Sequence, residues 1–154
     1  MTTNSNQSNP SRTPLVAALT FLIAVGLPVA AILTAGLRDV EVQPGAIDWI
    51  LVAGVAVVTI ATFALLVPWA QRDPESTGRA AKTGFALSAS GLAVSVILFW
   101  TMVPVIFGSA GAWLGHTARE RSKSGQRLRG LATAAIIIGA FAALGSVAAY
   151  IATS

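Results

Sequence analysis

Cysteine is absent from this chain of 154 residues, and charged residues make up only 10% of it. Without cysteine there is no disulfide framework, no thiolate nucleophile and no sulfur-ligated metal site. An ordinary soluble domain carries roughly 25% charged residues, which keep its surface in water. Here the hydrophobic share is 55%, and the apolar residues come in long runs. The composition therefore excludes an ordinary soluble domain and indicates a membrane protein.

Histidine is almost absent as well, since His116 is the only one. A metal site needs several ligands, and neither a second histidine nor a nearby carboxylate pair accompanies His116. The sequence also contains no recognisable nucleophile–base pair or carboxylate dyad. We therefore predict no enzyme activity, no metal and no cofactor. We expect His116 to lie at the membrane interface, where it hydrogen-bonds a backbone carbonyl or a lipid phosphate.

Charge is missing from the middle of every apolar run, because all six carboxylates fall in connections or at helix ends. Ionisable residues inside the membrane usually mark ion pathways and proton relays. Their absence from the runs disfavours a proton-coupled transporter. An oligomeric pore stays open as an alternative.

The first half of the chain contains two apolar runs after a polar tail, 1–13, that we predict to be disordered. Pro14–Leu37 has 24 residues without a charge, longer than the apolar part of a signal peptide and long enough to span a bilayer. In the second run, Trp49 and Trp69 lie 20 residues apart, about 30 Å along a helix, which suits two interfacial aromatic belts. We predict a transmembrane helix pair over 14–70 and a cytoplasmic connection over 71–83.

The positive-inside rule decides between one crossing and two over residues 84–116. One crossing leaves four basic residues on one side of the membrane and six on the other, in either orientation. A hairpin that turns near Pro104 leaves Arg38 alone on the outer side. It gathers the other nine on the inner side: Arg12, Arg72, Arg79, Lys82, Arg119, Arg121, Lys123, Arg127 and Arg129. We predict this hairpin, with the N-terminus cytoplasmic and the C-terminus external.

Helix length supports the hairpin. The 33 residues of 84–116 would measure roughly 50 Å as one straight helix, against a bilayer core of about 30 Å. Pro104 also disfavours helical geometry at Val103. The return limb, 105–116, reaches only about 18 Å as a helix. The sequence leaves open whether this limb crosses the membrane fully or is re-entrant.

Three glycines of the return limb, Gly108, Gly111 and Gly115, lie along one side of a helix. Small residues let helix backbones approach closely in lipid. One hypothesis is close packing of this side against Gly84, Ser88 and Ser95 or against Gly139 and Ala143. The alternative is a helix that is merely rich in glycine and alanine.

The hairpin is followed by a predicted basic loop, 117–129, and a last helix, 130–153. The loop contains Arg119, Arg121, Lys123, Arg127, Arg129 and one glutamate. Each basic residue near an anionic leaflet can contribute about 1 kcal/mol of attraction. We expect these residues, with His116, either to contact anionic lipid head groups or simply to fix the orientation. Nucleic acid is not expected, because no aromatic residues alternate with the basic ones.

Residues 79–151 resemble the bacterial membrane family named domain of unknown function 4190. The matching motifs are Gly84-Phe85-Ala86 with Ser90-Gly91, then Pro104, then Gly115-His116-x-Ala118-Arg119, then Ser124-Gly125, Arg129-Gly130-Leu131-Ala132 and Ile138-Gly139. The Arg-rich connection after His116 and the first helix pair depart from the family pattern. The resemblance implies a small multi-span membrane domain without an assigned activity.

Together these patterns predict an all-α integral membrane protein of the cell membrane. It consists of two N-terminal transmembrane helices and a C-terminal membrane domain, 84–154, with the hairpin, the basic loop and the last helix. The leading functional hypothesis is a structural or partner-binding membrane subunit, either as a homo-oligomer or with another membrane protein. The alternative is an oligomeric small transporter or channel component in which the hairpin 84–116 lines the pathway.

Overall fold

The structure is a computed structural model that describes residues 12–38, 45–72, 77–98, 101–122 and 126–153, with the side chains at 12, 35–38, 77, 126–127 and 153 left aside. All its regular elements in these ranges are helices. They are α1 (Arg12–Arg38), α2 (Ala46–Ala61), a π-helical turn (Thr62–Leu66), α3 (Val67–Gln71), α4 (Thr77–Leu98), α5 (Val103–Arg121) and α6 (Gln126–Thr153).

Four helical stretches of the described chain are long and apolar enough to cross a membrane. They are Thr13–Thr34, Ala46–Gln71, Gly78–Leu98 and Leu128–Ala152. This confirms the predicted fold class, an all-α integral membrane protein. Helix α5 is not among the four, because its glycines, His116 and its charged last turn lower its hydropathy. At 19 residues it is about 28 Å long.

Helices α4 and α5 form the hairpin that the charge pattern predicts. A Cβ built on Gly84 would lie 3.0 Å from the backbone nitrogen of Gly115, and one on Gly91 would lie 3.1 Å from that of Gly108. Rising residue numbers on α4 therefore face falling numbers on α5, so the two helices are antiparallel. Backbones can approach this closely only where side chains are missing.

Helix α6 packs against the same two helices and completes what we call the glycine-packed unit, α4, α5 and α6. A Cβ on Gly115 would lie 2.7 Å from the carbonyl oxygen of Ala132, and one on Gly108 would lie 3.0 Å from the nitrogen of Ala143. The hydroxyl of Ser88 on α4 donates a 2.7 Å hydrogen bond to the carbonyl of Ala135 on α6. Helix α5 thus lies between its neighbours, and its apolar side chains fill the main core.

Helices α1 and α2 lie against this unit through side-chain contacts. Ala24 of α1 and Val55 of α2 join the core cluster around Ile106 and Leu114 of α5. One side-chain hydrogen bond connects α1 to α5, from the Thr20 hydroxyl to the Ser109 hydroxyl at 3.0 Å. Most other large side chains of α1 and α2 are exposed, as expected for surfaces that face lipid.

Two prolines lie within long helical stretches without ending them. Helix α1 continues through Pro28, which a membrane helix tolerates. Pro68 follows the π-helical turn, where the Val67 N–H donates to the Thr62 carbonyl. A proline ring clashes with the carbonyl four residues earlier, and a wider turn before it relieves that clash. Ala46–Gln71 is consequently one stretch of 26 residues with Trp49 and Trp69 near its ends.

The break in the hairpin differs in detail from the prediction. Val103 is helical, contrary to the prediction, because α5 begins at this residue. Pro104 lies in the first turn of α5. Proline is well suited to this position, because its missing N–H would have no partner there in any case. The chain turns at Met102, within the predicted region next to Pro104, and this residue has a positive φ of 58° and a fully buried side chain. Left-handed backbone costs a non-glycine residue about 1–2 kcal/mol, which the burial of this side chain offsets.

The connections are shorter than the sequence predicts. Helix α5 continues past His116 to Arg121 and α6 begins at Gln126, so residues 117–121 and 126–129 are helical and do not belong to a loop. Likewise α4 begins at Thr77, within the predicted connection 71–83, and α1 begins at Arg12, within the predicted tail 1–13. The rest of that tail lies outside the described residues. Charge alone does not end a helix, because a helix can extend beyond the bilayer into water with its polar residues exposed.

Candidate functional site: the basic end of the bundle

One end of the bundle collects the described basic side chains, and we call it the basic end. It is formed by the last residues of α3 and α5 and the first residues of α4 and α6. Several contacts join these helix ends, including a small apolar cluster of Ala80, Ala81, Ala118 and Ala132 with Leu128 packed against it. The described basic side chains found there are Arg72, Arg79, Lys82, Arg119, Arg121 and Arg129. Lys123 lies outside the described residues, and nothing is stated of the Arg127 side chain.

Three of these arginines make contacts that hold the helix ends together. The guanidinium of Arg121 donates to the backbone carbonyl of Gln71 at 3.4 Å, which joins α5 to α3. Arg129 donates from Nε to the carbonyl of Ser122 at 3.2 Å, which closes the connection between α5 and α6. Arg79 lies over the ring of Trp69 at 5.3 Å, a cation–π contact between α4 and α3. These three arginines therefore stabilise the packing of the helices at the basic end.

His116 lies on the exposed surface of α5, one turn before the helix ends. Its ring stacks on Trp113, with 5.9 Å between the centroids and 3° between the planes. Its Nδ1 lies 3.7 Å from a carboxylate oxygen of Glu120, four residues further on. The structure thus gives His116 two neighbours on its own helix. In the described part of the chain, no three His, Cys, Asp or Glu side chains come together as metal ligands.

The three glycines predicted for helix packing are all buried in the glycine-packed unit. Gly111 lies against Gly84 and Ser88 of α4, and Gly108 lies against Gly139 and Ala143 of α6. Gly115 faces both neighbours, because it approaches Gly84 as well as Ala132. Ser95, by contrast, donates to the Leu92 carbonyl of its own helix. Helix α5 therefore packs closely on two sides. Apart from Ser95, the predicted partners on α4 and those on α6 both contact it.

The sequence did not indicate a groove along the outer surface of α6. Arg119, Arg129, Gly130, Thr133, Ala134 and Ile137 line it. A signal was present in the spacing, since 130, 133, 134 and 137 share one face of a helix. The proximity of Arg119 depends on the antiparallel packing of α5, which no local pattern contains.

The opposite end of the bundle contains a small, mostly apolar cavity of about 160 Å³. Residues from the second half of α1, the first half of α2, the turn at Thr101 and the end of α6 line it, among them Pro28, Asp48 and Tyr150. Helix α1 therefore runs away from the basic end, as α4 and α6 do.

No protein-family model, no curated protein and no solved structure matches this chain. The resemblance of residues 79–151 to the domain of unknown function 4190 family consequently stays a prediction. The fold establishes a small multi-pass membrane protein.

Proposed function

We propose that the protein is a structural or partner-binding subunit of the cell membrane whose basic end faces the cytoplasm. The observation that carries the proposal is the gathering of Arg72, Arg79, Lys82, Arg119, Arg121 and Arg129 at one end of the bundle. Cytoplasmic connections of membrane proteins carry an excess of Lys and Arg. The first residues of α1 belong to the same side, and the end of α6 to the outer side.

Tight internal packing supports a structural role over a transport role. A transport pathway needs a polar surface or a constriction that can open. The faces on which α4, α5 and α6 meet are closed by backbone contacts at Gly84, Gly108 and Gly111. The Ser88 hydroxyl donates its hydrogen bond within this unit, to the carbonyl of Ala135. In the described part of the hairpin, the faces on which these helices meet therefore leave no open polar surface between them.

A pair of topology reporters tests the orientation. Reporters are placed at two positions, after Ser154 and at Ser124. At each position, one version carries a reporter that is active only in the cytoplasm and another carries a reporter that is active only outside the cell. We expect the Ser154 fusion to report the outside and the Ser124 fusion to report the cytoplasm. The opposite pattern would refute the cytoplasmic basic end, and both reporters on one side would refute the crossing of the membrane by α6.

Purification and flux measurements test the subunit role. After gentle solubilisation we expect the chain to elute with a second membrane protein, or with further copies of itself, in a fixed ratio. In liposomes the purified chain should give no ion flux above that of protein-free vesicles. Flux that scales with the protein content would instead favour the transporter or channel component.

A further inference from the structure

The groove on α6 combines basic and apolar features. Its rim at the basic end is formed by two arginines, Arg119 and Arg129, both of which are exposed. Its floor is formed by small or apolar residues, among them Gly130 and Ile137. A ligand that fits this surface therefore has an anionic group at one end and an apolar body next to it.

The two arginines suit a phosphate group. The Nε–H group of Arg129 donates to the Ser122 carbonyl, which fixes the side chain. The N–H groups on its two terminal guanidinium nitrogens remain as donors for a ligand. Arg119 lines the same groove. Guanidinium groups bind phosphate oxygens through paired, charge-assisted hydrogen bonds. Two further arginines of the basic end already contact protein groups, since Arg121 of α5 donates to the Gln71 carbonyl and Arg79 of α4 lies over Trp69.

The apolar part of the surface continues along α6 away from the basic end. Ile137, Phe141 and Leu144 follow at spacings of four and three residues, so they lie on one face. They are 63%, 70% and 71% exposed, respectively. An acyl chain placed over Ile137 would follow this face in the direction in which lipid chains run from the head-group region.

We propose that this groove binds one anionic phospholipid, with its phosphate between Arg119 and Arg129 and an acyl chain along Ile137 and Phe141. The proposal rests on the proposed function in one respect, because it needs the basic end to lie at the head-group level of a membrane. Basic pockets between transmembrane helices are known sites for anionic head groups. Charge complementarity selects an anionic lipid over a zwitterionic one.

Gly130 offers a way to block the groove without disturbing the protein. Among the described residues, a Cβ built there would meet nothing within 4 Å, so a larger side chain has room and would enter the groove. Gly130→Leu keeps both arginines, whereas Arg119→Gln removes one charge and keeps the floor. Arg72→Gln is the matched control, because it removes one exposed arginine from the same end of the bundle at a position outside the groove.

The test is native mass spectrometry of the purified full chain in detergent, titrated with dioleoylphosphatidylglycerol or dioleoylphosphatidylcholine. We expect one phosphatidylglycerol to bind more tightly than phosphatidylcholine. Arg119→Gln should weaken its binding about fivefold, the effect of one basic residue near an anionic head group. Gly130→Leu should weaken it at least as much, and Arg72→Gln should leave it unchanged. Inorganic phosphate in large excess should not displace the lipid.

Several results would refute the proposal that a lipid binds in this groove. Equal weakening by Arg72→Gln would indicate a diffuse basic surface, and unchanged binding to Gly130→Leu would place the lipid elsewhere. Displacement by inorganic phosphate would indicate a site for small anions only. Should Gly130→Leu unfold, Arg119→Gln still decides the question, because this side chain lies on the surface. A reversed topology in the reporter assay would refute the proposed orientation while leaving this binding in micelles intact.

Discussion

Glycines occur in both halves of the bundle, but their surroundings differ. In the glycine-packed unit, a Cβ on Gly111 would lie 2.7 Å from the carbonyl oxygen of Gly84. On α2, a Cβ on Gly54 would meet nothing within 4 Å, and on α1 a Cβ on Gly26 would meet only a Leu22 methyl carbon at 4.0 Å. Gly111 is thus required for the packing of α5 against α4, whereas Gly54 and Gly26 are replaceable positions on α2 and α1.

The difference shows how a chain with few charges holds helices together in lipid. Lipid is as apolar as the side chains, so burial supplies little drive for helix association. Close backbone contact and hydrogen bonds remain, and the close backbone contacts lie between α4, α5 and α6, together with the hydrogen bond from Ser88 to Ala135. Helices α1 and α2 contact this unit through side chains, and among the described residues the Thr20 hydroxyl donates to the Ser109 hydroxyl. We infer that the glycine-packed unit is the stable part of the protein.

Gly111→Leu should have the largest effect. Its side chain would overlap the backbone of α4 at Gly84 and Ser88, which cannot move aside as a flexible side chain can. Overpacking a tight core costs about 1–3 kcal/mol and occasionally more, and we expect about 3 kcal/mol or more here. Unfolding by SDS in mixed micelles measures the change.

Gly54→Leu is the control for this substitution, because its side chain enters open space on α2. Surface substitutions of this kind stay within about 0.5 kcal/mol. Similar losses of stability at the two positions would show that the two halves pack equally tightly.

Ser88→Ala should have an intermediate effect. It removes the buried hydrogen bond to the Ala135 carbonyl, which joins two helices of the unit. Hydrogen bonds between membrane helices contribute about 0.6–2 kcal/mol, and we expect about 1 kcal/mol from the same unfolding assay. Ser95→Ala is matched to it, since that hydroxyl donates within its own helix. A loss at Ser95 equal to that at Ser88 would mean that the hydrogen bond between helices is not what stabilises the unit.

Thr20→Val should have the smallest effect of the three. It removes the hydrogen bond from α1 to Ser109 and keeps the shape of the side chain. We expect about 0.6 kcal/mol, and a double-mutant cycle with Ser109→Ala isolates this contact. Thr34→Val is the control, because that hydroxyl donates to the Ala30 and Ala31 carbonyls of its own helix. A coupling energy larger than the loss at Ser88 would show that α1 is as firmly attached as α4 is to α6.

Much of this architecture could be predicted because it follows from composition and charge. The apolar runs gave the spanning helices, and the positions of Lys and Arg required the hairpin near Pro104. Sequence spacing singled out Gly111 but left open whether its helix is closely packed or merely rich in glycine and alanine, because only the position of another backbone makes a glycine necessary. The sequence also predicts the end of α5 too early and the start of α6 too late. Both helices continue beyond the apolar runs into charged residues such as Arg119 and Arg129. The groove between them depends on helix packing and has no local signature.

The most direct test of the central claim separates the two halves of the folded protein. A protease site is inserted in the connection 73–76, the purified protein is cleaved in detergent, and the fragment from Thr77 onward is isolated. We expect this fragment to stay monodisperse, to keep its helical circular dichroism and to unfold in one cooperative transition, because α4, α5 and α6 contain the close contacts. Aggregation of the fragment, or loss of its cooperative transition while the uncleaved protein with the same insertion keeps its own, would contradict the account.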